Sequence, residues 1–401
     1  VKIAFFNDTY HPYVSGVISS VDRFTMALRE RGHEVELYVP GNWTSPWKET
    51  VGDDVHEVPS FPVPGFEGLR IGTPLLADGH LSVSSGVDDE MDVVHAHSPF
   101  VIGRIGARLS EKRHLPFIFT CHSIYPRYSE YVPLVSDLAA DVIREYVTEF
   151  CTWCDVVLAP SRYVKRVLRM WGVTSRIEIL PSGVDVDQVG RVKQAEVLDA
   201  SETRRRLLSS IGVDVEEKVL LSVGRIDPQK NLEFLLDVLQ HLLEDLPVHL
   251  VVIGDGPGRE KLVNSAEDRG LAGRVHFLGK KSFSEVVKWY CTADAFCFSS
   301  TTETQGLVVV EAMAADLPVV ALSSASSREL IDDGVNGLLT RQCPGEFARA
   351  VRRVLTDREL VRRLAAGGTE CAERYSIDVL TDRLTDIYRS AIDRKRRSLA
   401  H

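Results

Sequence analysis

The decisive stretch is Ala295-Phe296-Cys297-Phe298, then Ser299-Ser300-Thr301-Thr302-Glu303-Thr304-Gln305, then Gly306-Leu307-Val308-Val309-Val310-Glu311-Ala312-Met313-Ala314-Ala315, and finally Val319-Val320-Ala321. A short apolar run, a polar loop, a longer apolar stretch opening on glycine, and a second short run read as strand, loop, helix, strand. That order closes a right-handed crossover between parallel strands. The helix start presents free N–H groups and the positive end of its dipole to whatever lies at the strand's carboxyl end.

The same alternation extends outward. Val219–Val223, Asn231–Leu243, His249–Ile253, Gly258–Arg269 and Val275–Leu278 precede the stretch as strand and helix in turn, and helices follow it to the end. The N-terminal half repeats the pattern with strands at Val1–Phe6, Glu34–Val39, Asp92–His95, Phe117–Thr120, Asp155–Ala159 and Ile177–Leu180. Helices are predicted over Val17–Arg31, Gly103–Arg113, Asp141–Cys154 and Ser161–Trp171. Gly41–Gly79, rich in Pro, Gly and Trp, has no clear period and reads as a long connection. Gly190–Val213 is polar and charged without a strand, which places the domain boundary there. The fold class is therefore α/β, with two doubly wound Rossmann-like domains at 1–195 and 196–375 and a terminal segment at 376–401. A ligand cleft is expected where the strand carboxyl ends of the two domains face each other.

Composition bounds the function. With 401 residues, 44% hydrophobic and 26% charged, the chain is long enough for two cores and unlike a disordered or fibrous sequence. Its apolar runs fall short of the roughly 20 residues a spanning helix needs, and Val1 enters a strand directly, with no secretory leader in this chain. A net charge of −10 counts against nucleic acid as a partner. Seven scattered cysteines fit a reducing compartment, and Cys151-x-x-Cys154 on a helical stretch reads as core packing ahead of a redox or zinc pair.

Several strand ends carry polar residues suited to ligand chemistry. Glu303 in the loop and Glu311 in the second helical turn can accept hydrogen bonds from sugar hydroxyls; capping by Glu303 and solvent exposure of Glu311 are the plain alternatives. Arg225 and Lys230, in Gly224-Arg225-Ile226-Asp227-Pro228-Gln229-Lys230-Asn231, put two cations and a helix start where a diphosphate would sit, or else are solvated. Gly254-Asp255-Gly256-Pro257-Gly258 is a further tight turn at the same sheet edge. Gly16 after Ser15 permits close approach of a ligand or simply forms a turn. His122, just beyond Phe117–Thr120, stands at a carboxyl edge as a catalytic or a structural imidazole.

In this order the segments resemble family 4 retaining glycosyltransferases. Glu303 and Glu311 fit the family's E-x7-E signature, and Gly224-Arg225 with Lys230-Asn231, Pro181-Ser182-Gly183-Val184-Asp185 and Ser15-Gly16-Val17 match its other blocks. The resemblance implies the two-domain GT-B architecture, with the chain after Tyr375 crossing back to the first domain. It further implies that Arg225 and Lys230 hold the donor diphosphate, Glu311 the ribose and Glu303 the transferred sugar. Backbone N–H groups of Gln305, Gly306 and Leu307, next to Thr304, would support the leaving group and sugar. Gly16 would let its loop close on the donor and His122 would touch the sugar near the reacting centre. Many family members have two glycines where Ser15-Gly16 stands here. Asp185-Val186-Asp187 reads as a structural end, and the cationic pair makes a metal unnecessary.

Asn7–Ser20, Phe119–Tyr131 and Thr302–Leu307 are similar to the corresponding stretches of bacterial diacylglycerol glucosyltransferases. That similarity implies UDP-glucose as donor, diacylglycerol as acceptor and an α linkage, with Tyr125 and Tyr128 lining the acceptor path or packing under a loop. Arg162, Lys165, Arg166 and Arg169 share one helical face, and Arg104, Arg108, Lys112 and Arg113 form another cationic stretch. Such faces suit a peripheral enzyme on the anionic inner surface of the cell membrane, at about 1 kcal/mol per charge, or are merely solvated. Arg394-Lys395-Arg396-Arg397 adds a basic tail, read as a disordered end or a further anionic contact. A hexosyltransferase with another sugar or acceptor, a nucleotide-sugar epimerase and a binding module without turnover are the remaining alternatives.

Overall fold

The computed structural model describes residues 1–11, 15–41, 54–63, 70–72, 90–125, 136–197 and 200–400. The chain divides into two compact units, Val1–Gly183 with Ile377–His401, and Val184–Ser376.

The first unit holds β1 (Lys2–Phe6), β2 (Glu34–Pro40), β3 (Val55–Val58), β4 (Ser60–Pro62), β5 (Arg70–Gly72), β6 (Val93–Ala96), β7 (Phe117–Thr120), β8 (Val156–Ala159) and β9 (Ile177–Ile179). Seven of these form a parallel sheet in the order β3-β2-β1-β6-β7-β8-β9, while β4 and β5 pair antiparallel. Successive strand residues point to opposite faces. Ala4 and Phe6 pack with helices Val101–Arg113, Ser136–Thr152 and Arg162–Met170, whereas Ile3 and Phe5 pack with Gly16–Glu30 and Ile377–Leu399. Cover on both faces explains why the middle strands are continuously apolar. The last helix contributes Ile377, Leu380, Leu384, Tyr388 and Ile392 to this core, a helical spacing that gives it one buried stripe.

The second unit holds β10 (Lys218–Val223), β11 (Val248–Ile253), β12 (Val275–Phe277), β13 (Ala295–Phe298), β14 (Val319–Leu322) and β15 (Leu338–Thr340), all parallel, in the order β12-β11-β10-β13-β14-β15. Helices Leu232–Leu243 and Pro344–Thr356 cover one face; Val186–Val197, Ala200–Ser209, Phe283–Thr292 and Leu307–Ala314 cover the other. In each sheet the strand order reverses beside the first strand, between β1 and β6 and between β10 and β13. Ligands of doubly wound sheets bind outside the strand carboxyl ends at such reversals.

Four sequence readings need correction. Within Gly41–Gly79 the described residues include β3, β4 and β5; Val55–Val58 sits at a sheet edge, where half-buried polar residues hide the strand pattern. The supposed boundary Gly190–Val213 overlaps helices Val186–Val197 and Ala200–Ser209, which bury Val189 and Leu208 in the second unit's core; that unit begins at Val184. Leu338–Thr340, taken for helix, is a strand paired with β14. The basic tail is the end of helix Ile377–Leu399: Lys395 lies 3.2 Å from Asp155 and Arg396 3.5 Å from Asp92. Cys151 and Cys154 are unpaired core residues. No helix among the described residues is long and apolar enough to cross a membrane.

Candidate functional site

Two loops meet at the β10/β13 reversal. Past β10, the Asp227 carboxylate accepts the N–H groups of Gln229 at 3.0 Å and Lys230 at 3.3 Å. This closes a single 3₁₀ turn, Pro228–Lys230, with Pro228 supplying a preset φ at its start. Past β13, the Ser299 hydroxyl donates to the Lys230 carbonyl at 2.7 Å and the Ser300 hydroxyl to the Gln229 carbonyl at 2.9 Å. The Asn231 amide donates back to the Ser299 carbonyl at 3.4 Å. The two loops are thereby one rigid feature, and on it the Lys230 ammonium pairs with the Glu303 carboxylate. Arg225, nearly half exposed, lies 3.7 Å from Asp227 Oδ2.

Backbone approach is closest beside the β11 loop. A Cβ on Gly254, at φ 139°, would lie 1.9 Å from the Gly224 carbonyl oxygen. Ile226 also donates to the Asp255 carbonyl at 3.0 Å. The tight turn noted in the sequence therefore buttresses the Arg225–Lys230 loop.

Gly306 adopts φ 88°, a left-handed conformation, and leads into helix Leu307–Ala314 without any side-chain cap. Glu303 is not the cap; its carboxylate is held by Lys230. One turn on, Glu311 is buried at 7% exposure and accepts a hydrogen bond from the Tyr290 hydroxyl at 3.3 Å, which removes the solvent-exposed alternative. Gln305 is buried, Thr304 is partly so, and Leu307 packs against the core below. Asp185 is the structural end expected of it, accepting the N–H of Gln188 at 2.7 Å at the start of helix Val186–Val197.

The first unit has a polar group at its own reversal. The Asp8 carboxylate, just past β1, accepts the Ser98 hydroxyl at 2.6 Å and the Ile102 and Gly103 N–H groups at 2.7 and 3.3 Å. Burial raises its carboxyl above the ordinary value, against those hydrogen bonds. Beside it His97 Nδ1 lies 3.1 Å from His122 Nε2, and His95 bridges the Tyr388 hydroxyl and Thr120 Oγ1, both at 2.7 Å. Burial pushes His122 down to about 4 and lowers His95 and His97 well below the ordinary imidazole value, so the three rings are neutral at pH 7. Gly16 opens helix Gly16–Glu30, and a Cβ there would meet no described atom within 4 Å. Nothing described in the fold itself demands a glycine at that position.

Tyr125 is buried, edge-on to Phe100 at 5.3 Å between ring centres, so it packs in the core. Tyr128 lies outside the described residues. On helix Arg162–Met170, Arg162, Arg166 and Arg169 are exposed and Lys165 is partly so, with Val164 and Leu168 buried beneath them. Arg104 belongs to a different arrangement: it pairs with Glu149 at 2.9 Å and stacks over Tyr146 and Trp153. Sequence reasoning missed Asp8, His97, Ser98, Tyr290, Ser299 and Ser300. His95-Ala96-His97-Ser98 was a visible signal, because these polar residues close a buried strand. The two serines and Tyr290 act only through neighbours distant in the chain.

Comparison with known proteins adds to this geometry. Residues 14–188 match the family model described as Glycosyltransferase Family 4, and residues 203–370 match that described as Glycosyl transferases group 1. The alpha-monoglucosyldiacylglycerol synthase of Streptococcus pneumoniae is 29% identical over 346 residues, covering 84% of this chain and 75% of that protein. The GDP-mannose-dependent alpha-mannosyltransferase of Mycobacterium tuberculosis is 30% identical over 346 residues, covering 84% and 83%. Among solved structures, Anabaena HepE in complex with UDP-glucose superposes with a TM-score of 0.75 at 20% identity, covering 97% of this chain and 99% of that one. That structural likeness speaks for the fold.

Proposed function

The chain belongs to the family 4, group 1 glycosyltransferases, and on that premise we propose that it transfers glucose from UDP-glucose to diacylglycerol with retention, forming an α-glycosidic bond. It is a nucleotide-sugar-dependent enzyme of GT-B architecture; the sugar, the acceptor and the anomeric outcome are the proposed parts. The observation that carries the site assignment is the Lys230–Glu303 pair beside the Gly306 helix start, with Glu311 one turn on. In this reading the donor separates the pair. Lys230 and Arg225 take the diphosphate, Glu303 the sugar hydroxyls and Glu311 the ribose, while backbone N–H groups from Gln305 to Leu307 support the leaving group. Gly16 is assigned to the donor and His122 to the transferred sugar.

The chemistry follows the charges. As the bond from the anomeric carbon to the diphosphate oxygen breaks, negative charge grows on the leaving oxygen, where fixed cations and N–H dipoles lower the barrier. The acceptor hydroxyl oxygen bonds to the anomeric carbon on the same face, and its proton passes to the departing diphosphate. Hydrogen bonds to the sugar hydroxyls offset part of the oxocarbenium character. Positive charge at the diphosphate is assigned to Arg225 and Lys230. The lipid acceptor is supported by likeness to the pneumococcal synthase. The exposed Arg162, Arg166 and Arg169, with Lys165, are assigned to an anionic membrane surface at the cytoplasmic face.

A matrix of radiolabelled nucleotide sugars against lipid and soluble acceptors tests this reading, and label from UDP-glucose in diacylglycerol is the expected product. Likeness to the mannosyltransferase makes GDP-mannose the competing donor, and transfer from it alone would replace glucose in the assignment. Pelleting with anionic vesicles, lost in an Arg162, Arg166 and Arg169 triple alanine variant, is expected of the membrane face. Unchanged pelleting would remove those residues from it.

A further inference from the structure

We infer that His97 is a positioning residue that fixes the imidazole of His122 in the tautomer with Nε2 bare and Nδ1 protonated, making His122 a hydrogen-bond donor in the reaction. The inference rests on the reading that places His122 at the transferred sugar.

The geometry starts from the β1/β6 reversal. The His97 N–H donates to the Phe6 carbonyl at 2.8 Å, which anchors the residue just past β6. Its ring lies 4.2 Å from that of His95, tilted by 31°, and meets the Phe5 ring edge-on at 4.5 Å. His95 is itself held at both nitrogens, by Tyr388 and Thr120. A ring so enclosed has little freedom to rotate, and its Nδ1 is directed to His122 Nε2 at 3.1 Å.

Two neutral imidazoles share one proton in such a contact, so one nitrogen donates and the other accepts. The direction follows from the far side of His97. Its Nε2 is buried and has no hydrogen-bond partner among the described residues. Were Nε2 the protonated nitrogen, a buried N–H would have no described residue to donate to, a state folded proteins rarely tolerate; a bare lone pair is the lesser burden. The proton therefore sits on His97 Nδ1 and is donated to His122 Nε2. His122, neutral, must then carry its own proton on Nδ1. Free imidazole side chains favour the opposite tautomer, so His97 imposes a state His122 would not choose alone. A donor at that position suits an oxygen of the sugar; a bare nitrogen there would only accept.

The test reads the tautomer directly. Nitrogen chemical shifts of the full-length protein labelled with ¹⁵N-histidine are expected to show His122 with Nδ1 protonated and Nε2 bare. An Nε2-protonated His122 in the unsubstituted protein overturns the inference without need of any variant. His97→Phe, which keeps a ring but no donor, should move His122 toward the Nε2-protonated form; His97→Asn, which keeps a donor near Nδ1, should restore the original state. In turnover, His97→Phe should lower kcat about tenfold with the donor KM little changed, and should add nothing in a His122→Ala background. Independent, multiplicative losses overturn the coupling. Full activity in His122→Ala overturns the placement of His122 instead, and is distinguished from failure of the tautomer claim by the nitrogen shifts.

Discussion

Lys230 and Glu303 pair with each other, so replacing either tests binding chemistry with little cost to the fold. Both are partly exposed, and pairs of this kind contribute about 0–1 kcal/mol. Lys230→Ala should lower kcat/KM for the donor about 10²–10³-fold, with a thermal unfolding curve close to that of the parent; near-parental turnover removes Lys230 from the site. The buried histidines give a second residue-scale prediction. His122 is depressed to about 4, and His95 and His97 are also lowered, all by burial, so the unfolded chain binds their protons more readily. Their contribution to stability is present above about pH 6.5 and is lost as pH falls below it, for His122 as pH approaches about 4. For His122 alone this is about 3 kcal/mol across the window. Asp8, raised by burial, acts in the opposite sense and gains as pH falls. The melting temperature should therefore drop between pH 7 and pH 5, and less steeply in His122→Asn; equal slopes would contradict the burial of a titrating His122.

At the scale of elements, the strand ends were legible because continuous apolar runs mark strands covered on both faces, as in β10, β11 and β13. The Arg225–Lys230 loop and the Glu303–Glu311 stretch could be found for the same reason, since each directly follows such a run. What joins them was not legible. The Ser299 and Ser300 hydroxyls reach carbonyls about seventy residues away, and Asp8 meets Ser98 only because β1 and β6 are neighbours. Local pattern carries no information about such partners. Edge strand β3 and the sparse apolar positions of helix Val186–Val197 were misread because little of their surface is buried. The element-scale prediction concerns Gly254. Gly254→Ala would place a Cβ 1.9 Å from the Gly224 oxygen and force the two loops apart, at a cost of about 3 kcal/mol by overpacking. Chemical denaturation and donor titration should both report the change; unchanged donor affinity would show that the β11 loop does not set the position of Arg225 and Lys230.

For the whole molecule, the last helix belongs energetically to the first unit. Ile377, Leu380, Leu384, Tyr388 and Ile392 cover the side of Gly16–Glu30 that carries Val21, Phe24 and Leu28, and burying five large side chains is worth on the order of 10 kcal/mol. That equals the total stability of a typical domain. A chain ending at Ser376 should accordingly fail to keep its N-terminal sheet folded, seen as rapid proteolysis between Val1 and Gly183. A protease-resistant first unit would mean the helix is dispensable. Net charge is likewise a property of the whole that conceals its parts: the sum is −10, yet helix Arg162–Met170 presents cations to solvent. Charge placement, which the total cannot report, is what the proposed attachment to an anionic lipid surface rests on. The most direct measurement is transfer of radiolabelled glucose from UDP-glucose into diacylglycerol presented in anionic vesicles. Labelled α-glucosyldiacylglycerol, absent with Lys230→Ala, is the predicted result; label passing only to a soluble acceptor, or undiminished in the variant, would contradict it.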